Sequence, residues 1–433
     1  MTARALRRSD IRSRGISDRA TVNDARISLS LFGAGAAVAL AALALVTTAG
    51  AAPGGDPGVT STSVLLGGTV PLTGEAAAFG TVAPGAKAYF DYVNAKGGVN
   101  GRKIEYRYYD DAYNPAQTVQ LTRRLVEQDK AFAVFNSIGT ANNLAVRDYL
   151  NAQKVPQLFA GDGSQSIGRD FARYPWTMGF LQSYRGEGGV YGKTIVKSRP
   201  KARIAVLYEN TELGLDMLTG LTRAGAGKGP RIVAKQSYEF TGADVSSQVA
   251  LLKTSGADTL MLFATPKFFL NAIRAAHNLG WRPQVYIASV SIEPTIMGIA
   301  RFNAPELTKG ALSIAFLKNP NDPVWAKDKA VALYRSIMRT YNPSGKPTDV
   351  YNWYGMAVAW TMVETLRKAG KNLTRAGLLK AAQSLDTAAN PFMLPGIRLK
   401  TSRTDYRPME QVVLYRYDNK QWVKASGILQ ARG

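Results

Sequence analysis

The sequence contains no cysteine and only one histidine, His277. Without cysteine the chain has no disulfides, no thiolate metal ligands and no lipid-modified cysteine at a processing site. A single histidine cannot form a cluster that holds a metal, and we expect His277 to be a surface or satisfied helix residue. Neither the Gly-x-Ser-x-Gly nor the Gly-x-x-x-x-Gly-Lys-Ser/Thr motif occurs. We therefore predict a protein with no metal, no cofactor and no enzymatic activity.

Acidic residues are scarce, with 31 Asp and Glu against 54 Lys and Arg, which gives a formal charge of +23. The first 51 residues contribute only +4 of this, so the remainder still carries +19. Such an excess favours anionic solutes, acidic surfaces or nucleic acid. Because the basic residues are scattered and do not alternate with aromatics, we predict no nucleic-acid binding.

The first 51 residues have the pattern of an export signal. Seven arginines precede an apolar stretch at 29–46, and Ala49-Gly50-Ala51 fits a small-x-small cleavage pattern. This predicts a signal peptide over 1–51, a linker over 52–59, and a mature protein in the periplasm or at the cell surface. The alternative is a retained membrane anchor, because the apolar stretch and its flanks approach the ~20 residues that span a bilayer.

The stretch LLGGTVPLTGEAAAFG at 65–80 opens the folded part with an apolar strand, a Gly/Pro/Thr loop and the start of a helix. The same alternation continues, with strands predicted at 104–109, 131–135, 155–160, 203–208, 231–238, 259–263 and 284–288. Helices are predicted at 82–96, 142–152, 212–224, 246–254, 267–279, 324–341 and 351–369. A terminal β-hairpin is predicted from 396–399 and 411–417, with Asn419-Lys420 as a turn. This pattern predicts an α/β fold of two doubly wound lobes with a ligand between them.

Two motifs lie inside the run from Gly67 to Pro115. Asn-Ala-x-Gly-Gly-x-Asn-Gly-Arg occupies 94–102, and Asp-Asp-x-x-Asn-Pro occupies 110–115. With these motifs the chain resembles the type I periplasmic solute-binding proteins, in particular the leucine/isoleucine/valine-binding receptors of ABC transporters. Asp110 and Asp111 are expected to cap the next helix and hold the loop rather than bind a metal.

This resemblance implies two lobes joined by three hinge crossings, which we expect near 178–180, 313–316 and 391–396. Lobe 1 would comprise 60–178 and 316–393, and lobe 2 would comprise 179–315 and 394–433. The resemblance also implies a monomer that closes on a small solute and delivers it to a membrane ABC permease. A ligand-sensing receptor of the same fold, not coupled to import, is the alternative.

In the amino-acid binders of this family, the loops after the third and fourth strands hold the ligand carboxylate with hydroxyls and backbone N–H groups. The resemblance carries this role to Ser137, Gly139 and Thr140, and to a second set in the fourth loop. That second set comprises Asp162, Gly163 and Ser164. The hydroxyls are equally suited to cap the following helices.

Aromatic residues are the other candidates for solute contact. An apolar contact is expected from Phe79, whose alternative is a core or lid position. Tyr184 and Trp353 are expected either to face the cleft or to pack in the core.

Two departures from the family pattern bear on the solute. Leu213 stands where the family often has a ligand-contacting Tyr. Ser289 and Ser291 follow the late strand where an acidic residue normally neutralises the ligand ammonium group, and the nearest acid is Glu293. An ammonium buried without a carboxylate would cost several kcal/mol, so we predict a carboxylate-bearing or neutral, partly apolar solute, aromatic acids included. Asp162 would either repel an acid or replace the missing ammonium partner.

Overall fold

The computed structural model describes residues 55–433. The predicted signal peptide at 1–51 and the beginning of the predicted linker therefore lie outside the described residues. The rest of that linker packs on the folded part, because Asp56 accepts a hydrogen bond from the Arg375 backbone N–H and Val59 bridges to Val64. In the described part of the chain, no helix is both long enough and apolar enough to cross a bilayer.

The first lobe is built on a five-stranded parallel sheet of order β2-β1-β3-β4-β5. Its strands are β1 (Ser63–Val70), β2 (Lys103–Asp110), β3 (Ala133–Phe135), β4 (Gln157–Ala160) and β5 (Thr177–Gly179). The helices between them are α1 (Val82–Ala95), α2 (Pro115–Arg123), α3 (Thr140–Ala152) and α4 (Gln165–Arg169). β1 is buried along nearly its whole length, as expected for a strand covered on both faces.

The chain then enters a second lobe with the same alternation. Its first strands are β6 (Arg203–Glu209), β7 (Arg231–Tyr238), β8 (Thr259–Phe263), β9 (Gln284–Ile287) and β10 (Leu312–Ala315). Its helices are α5 (Tyr184–Ser198), α6 (Glu212–Gly225), α7 (Ser246–Thr254), α8 (Pro266–Asn278), α9 (Pro294–Asn303) and α10 (Pro305–Thr308). The predicted strands at 231–238 and 259–263 and the predicted helix at 246–254 have the bounds that the structure gives to β7, β8 and α7.

After β10 the chain returns to the first lobe with α11 (Lys329–Tyr341), α12 (Val350–Ala369) and α13 (Arg375–Ala382). Helix α12 packs along α1, where an added Cβ at Gly85 would lie 2.5 Å from the Asn352 carbonyl oxygen. Glycine at this position therefore lets the two helix backbones approach closely. A short ribbon follows, in which β11 (Asp386–Thr387) pairs with β12 (Leu399–Lys400).

The chain ends in the second sheet with the antiparallel hairpin of β13 (Gln411–Tyr417) and β14 (Trp422–Gln430). The seven-stranded sheet has the order β14-β13-β10-β9-β8-β6-β7. The predicted hairpin turn at Asn419 is confirmed, with Asn419 at φ 74°. Pairing 396–399 into this hairpin was wrong, because the strand directly after the turn pairs with β13 and Leu399 pairs with Thr387.

The lobes are joined by three passages of the chain. The first follows β5 and the second follows β10. The third is expected at 391–396, where Met393 bridges to Leu317 beside the second passage. Ile397 and Leu399 pack with residues of the first lobe, and the chain joins the seven-stranded sheet at Gln411.

Candidate functional site

A cavity of about 180 Å³ lies between the two lobes, where strands of both sheets end. Its wall is mainly apolar and rich in aromatic rings. The large apolar members are Phe79, Val82, Tyr113, Ile138, Leu181, Tyr184, Leu213, Val290, Ile292, Ile314, Phe316, Leu317, Trp325, Val350, Tyr351, Trp353, Tyr354, Tyr415 and Trp422. Apolar walls with a few polar groups are typical of pockets that bind small organic molecules.

Hydrogen bonds between the lobes hold the structure in a closed arrangement around this cavity. The Tyr351 hydroxyl, at the start of α12, donates to the Val290 carbonyl oxygen at 2.9 Å, just after β9. The hydroxyl of Ser166 in the first lobe donates to the Glu212 carboxylate of the second lobe at 2.7 Å. Other contacts between the lobes join Gln165 to Asp216, pair Glu75 with Lys267, and set Tyr113 edge-on against Phe240.

One polar end of the cavity is the start of α3, where Gly139 and Thr140 form part of the wall. Gly139 has φ 110°, and an added Cβ would lie 2.7 Å from Asn142 Oδ1 and 2.8 Å from the Tyr113 ring. Only glycine fits this position without strain. Because no side chain caps α3, its first N–H groups are available to a ligand. A helix N-terminus of this kind suits an anion.

A buried carboxylate lies directly behind this polar end. Asp162 accepts a hydrogen bond from the Thr140 hydroxyl at 3.1 Å and from the Ser164 N–H at 2.8 Å. Its second oxygen accepts the Ser164 hydroxyl at 3.2 Å. Burial raises the pKa of Asp162 to about 7, and these three hydrogen bonds act in the opposite direction. Asp162 therefore gains or loses its proton in the neutral range.

A second buried carboxylate lies behind Ser289, on the other side of the cavity. Glu187 accepts the Ser289 N–H at 2.7 Å and the Ser289 hydroxyl at 2.8 Å. It also accepts the Gln182 amide and the Tyr191 hydroxyl, each at 2.7 Å. Burial raises the pKa of Glu187, while these four donors favour the charged form.

The structure brings six of the predicted site residues onto the cavity wall and leaves five off it. Those on the wall are Phe79, Gly139, Thr140, Tyr184, Leu213 and Ser289. Those off it are Ser137, Asp162, Gly163, Ser164 and Ser291. Trp353, whose position was left open between cleft and core, also contributes to the wall.

The residues off the wall have other partners. The Ser137 hydroxyl accepts the Thr69 N–H at 3.1 Å, and the Ser291 hydroxyl donates to the Ala264 carbonyl oxygen at 2.7 Å. Gly163 and Ser164 line a much smaller cavity together with Asp162. Ser164 occupies the N-cap position of α4 and Thr140 is the first residue of α3, but neither hydroxyl accepts a capping hydrogen bond.

Charged side chains on the cavity wall are already engaged. Glu293 caps α9 by accepting the N–H groups of Thr295 and Ile296 at 2.7 and 3.0 Å, and burial raises its pKa. Lys318 pairs with Asp328 at 2.8 Å, and Asp322 accepts the Val324 N–H at 2.9 Å. Each of these three groups would therefore have to give up or share a bond that it makes here in order to neutralise a solute.

The acidic pair Asp110-Asp111 holds the loops around β1 and α2. Asp110 accepts the Leu72 N–H at 2.9 Å, and Asp111 accepts the Thr118 hydroxyl at 2.7 Å. The cap of α2 is Asn114, not either aspartate. His277 is half exposed, with its Nδ1 2.7 Å from Glu306. Across residues 55–433, no three His, Asp or Glu side chains are close enough to hold a metal ion.

Much of the wall was not predicted from the sequence. Tyr113 lies two residues after the acidic pair at the end of β2, and Tyr351 is the second residue of α12. An aromatic residue just after a strand or at a helix start is the signal that would have indicated both. Trp325, Tyr415 and Trp422 come from chain segments after the second passage, and nothing in their local sequence marks them as cavity residues.

The sequence is similar to those of known proteins. The family model described as "Periplasmic binding protein" matches residues 63–421. A similar curated relative is Leu/Ile/Val-binding protein homolog 7 of Brucella suis biovar 1, with 27% identity over 280 residues, which cover 60% of this chain. The match spans 65% of that relative, just under two thirds of its length.

Two solved structures have the same fold. A fatty acid ABC transporter substrate-binding protein from Thermomonospora curvata aligns with a TM-score of 0.74 and 20% identity, covering 87% of this chain and 95% of that one. A branched-chain amino acid ABC transporter protein from Thermus thermophilus with bound valine aligns with a TM-score of 0.73 and 16% identity, covering 85% and 96%. The type I two-lobed fold is confirmed, and the family consists of solute-binding proteins rather than enzymes. The chain belongs to the periplasmic binding protein family.

Proposed function

We propose that this protein is the extracytoplasmic solute-binding component of an ABC importer and that it captures an apolar or aromatic monocarboxylate. The observation that carries this proposal is the cavity itself, which is closed between two lobes, mainly apolar, and polar at the start of α3. A carboxylate would accept the first N–H groups of α3 and lie against Thr140. The apolar body would lie against the aromatic wall.

An α-amino acid solute is the competing possibility within the same function. The name of the Brucella relative and the valine bound to the Thermus protein point to branched-chain amino acids, whereas the Thermomonospora protein is named for fatty acids. A solute ammonium would need a free carboxylate on the wall. Glu293 is on the wall but caps α9, Asp322 is on the wall but caps the short helical turn Pro323–Trp325, and Asp162 lies behind Thr140. These engaged partners favour a solute without an ammonium group.

Import rather than sensing is part of the proposal. The Thermomonospora and Thermus structures are named as ABC transporter proteins, and none of the three names gives support to a sensor. The mechanism is closure of the lobes on the solute, because contacts such as Tyr351 with Val290 form only when the lobes approach. The partner would be a membrane permease, and we expect a monomer exported from the cytoplasm.

Calorimetric titration of the purified protein tests the solute class. The panel comprises benzoate, 4-hydroxybenzoate, octanoate, leucine and valine, with benzamide as the neutral match to benzoate. We expect micromolar binding, about −8 kcal/mol, of at least one carboxylate and none of leucine or valine. Tight binding of leucine or valine without binding of the acids would overturn the monocarboxylate assignment.

Transport assays test the coupling to import. Deleting the gene should abolish uptake of the solute that binds, and restoring it should return uptake. Normal uptake in the deletion strain, together with a lost transcriptional response to the solute, would favour the sensing alternative.

A further inference from the structure

We propose that Asp162 determines the direction in which the Thr140 hydroxyl donates, and that capture of a carboxylate therefore takes up one proton at Asp162. This inference rests on the proposed function, in which the solute carries a carboxylate. Asp162 would act as a positioning residue, since it lies behind Thr140 and does not form part of the cavity wall.

The hydrogen bonds around Asp162 determine what the cavity presents to a solute. A hydroxyl has one proton to donate, and the Thr140 proton is directed at Asp162 Oδ1 at 3.1 Å. The Ser164 N–H and hydroxyl donate to the same carboxylate. With Asp162 ionised, Thr140 therefore shows only lone pairs to the cavity. Those lone pairs, with a negative charge behind them, disfavour a carboxylate at the start of α3.

Adding one proton to Asp162 reverses this arrangement. The carboxylic acid O–H then donates to Thr140 Oγ1, and the Thr140 proton rotates toward the cavity to donate to the solute carboxylate. The proton comes from the solvent, and no covalent bond other than the new O–H forms. The negative charge behind Thr140 disappears in the same step. The α3 N-terminus then faces the anion with no nearby Asp162 charge to repel it.

The surroundings of Asp162 determine the pH at which the change occurs. Burial favours its neutral form, and the nearby Glu212 carboxylate adds to that effect. Arg407 lines the same small cavity, and its guanidinium, which stays charged although burial lowers its pKa, favours the charged form. The other titratable groups coupled to Asp162 are the hydroxyls of Tyr113, Tyr184 and Tyr354, which burial keeps protonated.

The affinity for a carboxylate should fall as the pH rises. The pKa of Asp162 is about 7 without solute, and a bound carboxylate raises it further. Affinity for a carboxylate is therefore constant below pH 6 and falls about tenfold per pH unit above pH 7. A solute that offers an ammonium or an N–H to Thr140 would show the opposite trend.

The experiment is titration calorimetry of benzoate, 4-hydroxybenzoate and octanoate at pH 5.5, 7.0 and 8.5, each in two buffers of different ionisation enthalpy. We expect wild type to take up close to one proton on binding at pH 8.5 and to lose at least tenfold in affinity between pH 5.5 and 8.5. Asp162→Asn should show no pH dependence and bind at least tenfold more tightly than wild type at pH 8.5. Asp170→Asn, at a half-exposed aspartate paired with Arg147, is the matched control and should behave as wild type.

Three outcomes separate the two proposals. Carboxylate binding with no proton uptake and no pH dependence in wild type would overturn the role of Asp162 and leave the proposed function intact. Loss of binding in Asp162→Asn at every pH, with the fold retained, would also overturn it. If no carboxylate binds at any pH, the monocarboxylate function fails, and this inference fails with it. The proton count in wild type decides the question even if the variant does not fold.

Discussion

Each lobe places a hydroxyl on the cavity wall in front of a buried carboxylate, and the two pairs differ in what surrounds the carboxylate. In the first lobe, Thr140 and Ser164 supply every hydrogen bond to Asp162. In the second, Glu187 is bonded to Ser289 as well as to Gln182 and Tyr191. The first pair is local, and the second joins separate parts of the fold.

The links of Glu187 reach two of the passages between the lobes. Gln182 lies in the first passage, directly before α5. The Tyr191 hydroxyl is also 2.8 Å from the Ile287 carbonyl oxygen and 3.3 Å from Ser313, in the strand that leads to the second passage. Protonating Glu187 would therefore weaken connections among three segments, whereas protonating Asp162 reorients only nearby hydroxyls. On the proposal made above, the Glu187 pair stabilises the fold and the Asp162 pair contributes to solute selection.

The largest expected effect is a gain of stability on removing the Asp162 charge. Because the folded-state pKa of about 7 exceeds the ordinary value near 4, the folded state holds the proton more tightly, and the free energy of unfolding falls as pH rises between these values. At pH 8, Asp162→Asn should therefore be more stable than wild type by about 4 kcal/mol, with little difference at pH 4. Urea denaturation at both pH values measures this. A variant less stable than wild type at both would contradict it.

The second prediction is that the same kind of change at Glu187 has the opposite sign. Glu187→Gln leaves four donors facing one oxygen and one NH₂ group, so at least one buried donor loses its partner. We expect a loss of about 2 kcal/mol in the free energy of unfolding at pH 7. The matched control is Glu105→Gln, at an exposed position of β2, which should change little. Equal stability of Glu187→Gln and wild type would remove the difference between the two pairs.

The third prediction concerns the hydroxyls themselves. Thr140→Val removes the group that would face the solute carboxylate, so its Kd should rise about tenfold at pH 6. Ser289→Ala should raise it no more than about threefold, because the Ser289 hydroxyl already donates to Glu187 and accepts the Gln182 amide. Titration calorimetry of both variants measures the contrast. The reverse order would assign the solute's polar end to the second lobe.

The smallest expected effect concerns a contact that closes the lobes and involves neither of the two carboxylate–hydroxyl pairs. Tyr351→Phe removes the hydrogen bond to Val290 that forms between the lobes, which is worth about 1 kcal/mol, so the Kd should rise about fivefold. Tyr334→Phe is the matched control, because that hydroxyl donates to the Pro347 carbonyl oxygen within one lobe. A similar Kd for the two variants would show that the Tyr351 bond does not support closure.

Several parts of the fold could be predicted because local pattern alone decides them. The apolar run of β1 and the alternation of strand and helix specified two α/β lobes, and the bounds of β7, α7 and β8 follow from hydrophobic periodicity. The third passage was harder to place. The segment 391–394 pairs beside the second passage, where the Leu394 N–H donates to the Phe316 carbonyl oxygen, and no local signal reveals such pairing.

The candidate site was predictable only in outline. The rule that ligands lie at strand carboxyl ends pointed to the loops that hold Thr140 and Ser289, and both are on the wall. It did not show that Ser137 turns away to accept the Thr69 N–H. The direction of a side chain in a loop depends on which distant backbone group it forms a hydrogen bond with.

The sequence by itself determined the two lobes, the strand-end loops and the scarcity of catalytic groups, because these depend on periodicity and residue type. Only the tertiary structure decided that Asp162 and Glu187 lie behind the cavity hydroxyls instead of on its wall. It also decided that Trp325 and Trp422, far apart in sequence, form part of the same cavity. Burial and hydrogen-bond direction depend on groups brought together from distant segments, and these properties determine what the cavity offers a solute.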